Sequence, residues 1–236
     1  MSTEKSANNR QIVLDTETTG LEPSQGHKII EIGCVEMVNR RLTGNNYHQY
    51  LQPDREIDEG AQAVHGISNE FLADKPRFID VAKDFIEYID GAELIIHNAP
   101  FDVGFLDHEF KIAGSEFGKV STYCQVIDTL VMARKMRPGK KNNLDVLCKE
   151  YQVNNAHREL HGALLDSELL AEVYLHMTGG QSVLSLESND VDPQQTSSSA
   201  VKKLSADRKP IKVVKANADE LQAHQAIIEK MDSSNW

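Results

Sequence analysis

The stretch HGALLDSELLAEVYLHM (161–177) places a carboxylate where a carboxylate is costly. Apolar side chains recur at helical spacing at Ala163, Leu170, Val173 and Met177, and Asp166 falls in the same stripe. An acid aimed at a core needs a positive partner or a proton. His161 stands five residues earlier. On a shared helix, at about 100° per residue, it would lie roughly 140° from Asp166, so it belongs on the loop feeding the helix, over the same pocket. Two more acids, Asp15 and Glu17 of LDTET, are two apart on a strand and therefore leave one face, at the strand end. The fourth, Asp102 of HNAPFD, sits in the first turn of a helix. Phe105, Leu106 and Phe110 at the following turns face it inward. Taken singly, each acid has an ordinary alternative. Asp15 and Glu17 could be a solvated strand end, Asp102 a complement to the helix dipole, and Asp166 a neutral buried acid. Taken together, four carboxylates and a histidine are the donor set of a two-metal site with a base. Oxygen-only ligands favour two divalent cations, Mg²⁺ or Mn²⁺, over zinc.

The elements that must carry these residues follow from periodicity. QIVLDTETTG (11–20) and KIIEIGCVEMV (28–38) read as strands, and RRLTGNNYHQYLQP (40–53) as strand, Gly-Asn turn and strand. No helix fits between these segments, which predicts an antiparallel meander. A helix over 77–91, a buried strand over 92–98, a helix over 101–114, a strand running into helix over 125–136 and a helix over 142–153 follow. Asn98 is suited to pin the strand-to-helix turn through backbone hydrogen bonds. The predicted fold class is α/β, a mixed sheet flanked by helices.

Composition narrows the function. The 236 residues are 40% apolar and carry a formal net charge of −11. Residues 181–236 hold seven Lys/Arg and eight Asp/Glu, so nearly all of that negative charge falls on 1–180. Such a chain has no global field to attract a polyanion or an anionic membrane, and any grip on one must be local or lent by cations or a partner. Three dispersed cysteines without a CxxC suit free thiols in a reducing cytosol. No apolar run approaches the roughly 20 residues that span a bilayer, and the polar N-terminus lacks a signal-peptide core, so a cytoplasmic location is expected. After 180 the sequence turns polar and low in complexity. The expected organisation is a disordered N-terminus (1–9), a catalytic domain (10–180), a short segment (181–186), a flexible linker (187–200) and a binding tail (201–236). A short helix is expected over 218–231.

LDTETTG, HNAPFD and HGALLD resemble the three motifs of the DEDD 3′–5′ exonucleases, in the subclass whose base is histidine. HKIIEIG, NRRLTGNN, VHGI and AEVYLHMTGGQ extend the resemblance over residues 10–186 to the epsilon family, the proofreading subunits of bacterial DNA polymerase III. The resemblance implies a ribonuclease-H-like fold. It further implies that Asp15, Glu17, Asp102 and Asp166 hold two metals and that His161 deprotonates the attacking water. Single-stranded or frayed DNA 3′ ends would then lose 5′-mononucleotides. Thr16 and His65, with Asp15 and Glu17, match the positions that touch the terminal nucleotide. The family often carries Glu five residues before that histidine, where this chain has Gly60. QSVLSL (181–186) resembles the short peptides that dock in the beta sliding clamp, through Gln181, Leu184 and Leu186; those leucines could instead fold back on the domain. The same resemblance implies a tail that holds the polymerase alpha subunit and a domain surface for a small theta subunit. Two other readings stay open: an exoribonuclease with identical chemistry, and a structural adaptor between polymerase and clamp.

Overall fold

The computed structural model describes residues 10–158 and 160–179, together with 217, 218, 220–222 and 224. The chain divides into two compact units, Met1–Ser185 and Leu186–Trp236. The first unit is built on a mixed sheet. Strands β1 (Arg10–Thr18) and β2 (Ile29–Val38) pair antiparallel, and β3 (Arg41–Leu42) and β4 (Tyr47–Tyr50) both pair antiparallel with β2. After the short helices α1 (Glu59–His65) and α2 (Asn69–Leu72) and the longer α3 (Phe78–Ile89), β5 (Glu93–Ile96) joins β1 in parallel. Helices α4 (Ala99–Ala113) and α5 (Val120–Tyr123) lead to β6 (Gln125–Asp128), which pairs in parallel with β5. Helices α6 (Thr129–Met136), α7 (Leu144–Tyr151) and α8 (Ala163–Gly179) complete the unit. The expected class, an antiparallel start followed by strand–helix alternation, is the one observed.

Both faces of the sheet are covered, and the two-residue period of β1 sorts its side chains between them. Ile12 and Leu14 join the larger core, with Phe78 and Phe85 of α3 and Phe105 and Phe110 of α4. Val13 points the other way, into a core with Val35, Ile95 and Leu170, Ala171 and Tyr174 of α8. Phe85, Phe105 and Phe110 are fully buried; each side chain of that size contributes about 1.5–3 kcal/mol by leaving water. The alternation also decides the site: Asp15 and Glu17 share Val13's side, toward α8, and Thr16 shares that of Leu14, toward α4.

Residues 40–53 differ from expectation. The chain reverses at Asn39 and Arg40, both left-handed (φ 52° and 63°), and not at Gly44-Asn45. β3 opposes Met37 and Val38 while β4 opposes Glu31–Cys34, so they are two pieces of one interrupted edge strand, not a hairpin. The interruption is pinned by Thr43, whose amide donates to the Glu36 carbonyl and whose hydroxyl donates to Glu36 Oε2 at 2.7 Å. Asn98 holds the strand-to-helix turn through its backbone, its carbonyl accepting the Phe101 amide at 3.0 Å. It caps α4 in the left-handed conformation (φ 67°, ψ 50°) with no side-chain capping bond. The turn depends on the tolerance of Asn for that conformation.

In the second unit, Asn217 and Glu220 cap each other. The Asn217 amide donates to Glu220 Oε2 at 2.9 Å and the Glu220 amide to Asn217 Oδ1 at 2.8 Å, which opens a helical turn at Ala218. Residues 181–186 lie outside the described residues, and with them Gln181, Leu184 and Leu186. Among the described residues, no helix is long and apolar enough to cross a membrane.

Candidate active site

Strands β1 and β5 are parallel, so their C-terminal ends open on one edge of the sheet. Leu14 is the last β1 residue paired with β5, and Asp15, Thr16 and Glu17 continue past the end of β5 into an open edge. Such edges are where α/β sheets keep their ligands. Asp102 reaches the same place from the first turn of α4. It is buried, and the Thr16 hydroxyl donates to its Oδ1 at 2.7 Å. That bond ties the third acid to the strand bearing the first two.

Asp166 arrives from the other face because α8 comes unusually close to β2. A Cβ at Gly33 would stand 2.2 Å from both the Ala163 carbonyl carbon and the Leu164 nitrogen, so only glycine lets the helix start there. Gly33 pairs with Asp15 across the two strands, and the Ser167 hydroxyl donates to the Gly33 carbonyl at 2.8 Å. Gly33→Ala should therefore lift the start of α8. We expect a loss of about 1–3 kcal/mol of stability, a fall of about 2–4 °C in melting temperature per kcal/mol in a domain of this size, and weaker Mn²⁺ binding. Unchanged melting and unchanged Mn²⁺ titration would show that this close approach does not set Asp166.

His161 lies on the loop before α8, as its spacing required, and its amide donates to the Val64 carbonyl at the end of α1 at 3.1 Å. One donor atom each from Glu17, His161 and Asp166 falls within 4.8 Å of the others. A cavity of about 840 Å³ holds Asp15, Glu17, Asp102, His161 and Asp166 together, with Arg134, Lys140 and Lys141 also on its wall. A second, more apolar cleft of about 460 Å³ shares Thr16, Glu17 and Phe101 with it and continues to Leu21, Val64 and His65. The buried His65 accepts the Ile67 amide at Nδ1 at 3.0 Å, which leaves its proton on Nε2. Gly60 also borders this cleft, with open space where a side chain would start.

The partner of Asp166 is Arg158, which carries no periodic signal in the loop NNAHRELH. Its Nε donates to Asp166 Oδ1 at 2.5 Å and its Nη2 to Oδ2 at 2.6 Å. The other acids are less comfortable. Burial, then repulsion from Asp102, Glu17 and Asp166, lifts the Asp15 carboxyl well above its ordinary range. Burial, followed by Asp166 and Glu31, pushes Glu17 up to about 8, and burial raises Asp102 to about 7. Burial and the neighbouring Arg158 lower His161, which favours its neutral form. Clustered buried acids that resist ionisation are a cage suited to hard cations; this donor set fits divalent metal and would repel an anion.

This fold, with acids from β1, α4 and α8 at one sheet edge, defines a nuclease of the exonuclease class. The RNase T exonuclease family profile matches residues 12–174. The chain belongs to that family, in the branch of the DNA polymerase III epsilon subunits. It is 53% identical to the DNA polymerase III subunit epsilon of Escherichia coli over 221 residues, 92% of this chain and 91% of that one. It is 51% identical to the subunit of the same name from Haemophilus influenzae, over 96% of this chain and 92% of that one. Among solved structures, exonuclease X in complex with 5′-overhanging duplex DNA superposes with a TM-score of 0.55 at 29% identity, covering 72% of this chain and 94% of that one. Exonuclease I in its apo form superposes with a TM-score of 0.61 at 16% identity, over 74% of this chain and 43% of that one, a likeness of fold alone.

Proposed function

We propose that this protein is the proofreading 3′–5′ DNA exonuclease of a replicative polymerase, hydrolysing 3′-terminal nucleotides to 5′-mononucleotides. The observation that carries this reading is the convergence of Asp15, Glu17, Asp102 and Asp166 beside His161 in one cavity. The four carboxylates would hold two divalent cations, Mg²⁺ or Mn²⁺. Bound there, the cations would offset the charge that develops on the attacking and leaving oxygens of an in-line displacement. His161 takes the proton of the attacking water, and its lowered affinity for protons keeps it available near neutral pH. Thr16 and His65 border the cleft that continues from Glu17, where a single unpaired base would lie against the apolar Phe101 and Val64 of its wall. A paired 3′ end must fray before its last base can enter such a cleft, and a mismatched end frays more readily. Arg134, Lys140 and Lys141 give an otherwise acidic chain a local grip on the phosphates that follow.

The testing experiment is digestion of 3′-labelled single-stranded DNA, matched primer, mismatched primer and RNA with Mg²⁺. Release of mononucleotides from single-stranded and mismatched DNA ahead of matched DNA is expected. RNA degraded faster than DNA would make the protein an exoribonuclease of the same chemistry, and no release from any substrate would leave the adaptor reading.

The 201–236 tail is read as the holder of the polymerase alpha subunit and 181–186 as the clamp contact. Tethering of this kind supplies local concentration to a domain that attracts DNA weakly, worth about 10²–10⁴ in avidity. Changing Gln181 and Leu184 to Ala should weaken binding to the sliding clamp, read by surface plasmon resonance, without altering hydrolysis of free single-stranded DNA. Undiminished clamp affinity would refute the contact, and slower hydrolysis of free DNA would mean that the leucines pack on the domain.

A further inference from the structure

Arg158 is placed oddly for a nuclease that must admit cations. Its side chain is only 7% exposed, and it takes both oxygens of Asp166 in a two-pronged ion pair. Its Nη1 donates to Asp145 Oδ1 at 2.8 Å, and its Nη2 to His161 Nδ1 at 3.0 Å. A cation that needs Asp166 therefore meets a guanidinium already seated on it, and the two positive charges repel. Arg158 also constrains the histidine. A guanidinium only donates, so His161 Nδ1 must accept and the ring proton sits on Nε2. While that bond lasts, neither ring nitrogen is free to take a proton from water.

We propose that Arg158 is a displaceable resident cation, holding Asp166 and His161 in the ion-free protein and yielding Asp166 to an incoming divalent ion. It then turns, still held by Asp145, toward the phosphate of the substrate. This rests on the two-metal reading given above. Asp145 supplies the pivot. It is 54% exposed, on the first turn of α7, which Asn143 caps by accepting the Val146 amide at 3.0 Å. An acid on a capped helix start is a fixed post, and it does not belong to the four-carboxylate set. Asp145, Arg158 and Asp166 all line the acidic cavity, so an arginine that pivots on Asp145 stays within the space a nucleic-acid phosphate would enter. One exchange would free a metal ligand and the base together, so that the site is armed only when charged with ions.

The test uses the full chain stripped of metal. Calorimetric titration with Mn²⁺ should give about 10–100-fold tighter binding for Arg158→Ala than for wild type, because the ion no longer competes with charge-assisted hydrogen bonds. The ion-free melting temperature should fall in the same variant. Arg158→Lys, which keeps the charge and loses the fork, should lie between them. At saturating Mn²⁺ the KM of Arg158→Ala for single-stranded DNA should rise about tenfold, the order expected for one lost phosphate contact. A second readout needs no variant: the Arg158 Nε–H resonance of the wild-type protein should shift as Mg²⁺ is added. Mn²⁺ affinity that is unchanged or weaker in Arg158→Ala, or a resonance indifferent to Mg²⁺, would overturn the exchange, and an unchanged KM would overturn its phosphate half. Wild type that binds no Mn²⁺ at all would bring down the two-metal reading itself; Mn²⁺ binding equal in both proteins would remove only the role of Arg158.

Discussion

Replacing Asp15 or Glu17 with alanine should end hydrolysis and, in the absence of metal, make the protein more resistant to heat. The two effects have one origin. Burial first, and the surrounding acids second, disfavour the charged forms of both carboxylates. A carboxyl whose proton is held more tightly in the folded state than in the unfolded chain costs stability as pH rises between the two titrations. For Glu17 that window runs from about 4.3 in the unfolded chain to about 8 in the fold. Ion-free wild type should therefore melt at lower temperature at pH 8 than at pH 6, and the difference should shrink in either variant. Saturating Mg²⁺ at pH 8 should restore the wild type and do less for the variants. Activity should fall by about a thousandfold or more, since a lost cation removes several kcal/mol of transition-state stabilisation. Scanning calorimetry with and without Mg²⁺, beside a single-stranded DNA assay, reads both effects. Substantial hydrolysis by the double variant would refute the assignment of these acids.

Much of this arrangement was legible in the amino-acid order because it rests on two short periods. The alternation of β1 places Asp15 and Glu17 on one face and Thr16 on the other, and the helical period of α8 turns Asp166 inward. The same arithmetic keeps His161 off that helix, and the helix does begin at Ala163. What periodicity cannot reach is decided by tertiary contact. Helices α1 and α2 have seven and four residues, too few to repeat a pattern, although α1 carries His65 and ends at the carbonyl that holds the His161 loop. The break between β3 and β4 depends on Thr43 bonding across to Glu36. Arg158 lies in a loop, and only the folded chain brings Asp145, His161 and Asp166 around it. Gly33 did leave a trace: a lone glycine inside IIEIGCVEMV is the mark of a backbone approached closely by another. Reading that mark would have pointed to the start of α8, and so to the reason Asp166 can reach Asp15 at all.

His161→Ala should lower the turnover rate by about 10²–10⁴-fold, the usual measure of a lost general base, while Mn²⁺ binding persists. The two outcomes separate a base from a ligand. His161 is the most exposed member of the cluster, with 44% of its side chain open to solvent, and it stands 3.5 Å from Asp166 on a loop tied to α1 by the hydrogen bond from its amide to the Val64 carbonyl. A ligand needs a fixed position; a base that must pass its proton to water after each turn needs solvent. Burial lowers its affinity for protons, so in wild type the acidic limb of the rate profile should fall below the ordinary histidine range. The alanine variant should lose that limb and retain a slow rate that rises with hydroxide concentration. If Arg158 holds the ring in ion-free protein, raising Mn²⁺ should move the wild-type limb while leaving the variant's profile where it was. A collapse of Mn²⁺ affinity in His161→Ala would instead make the imidazole a ligand and require the proton to leave by another group. Retention of the acidic limb in the variant would assign it to a group other than His161.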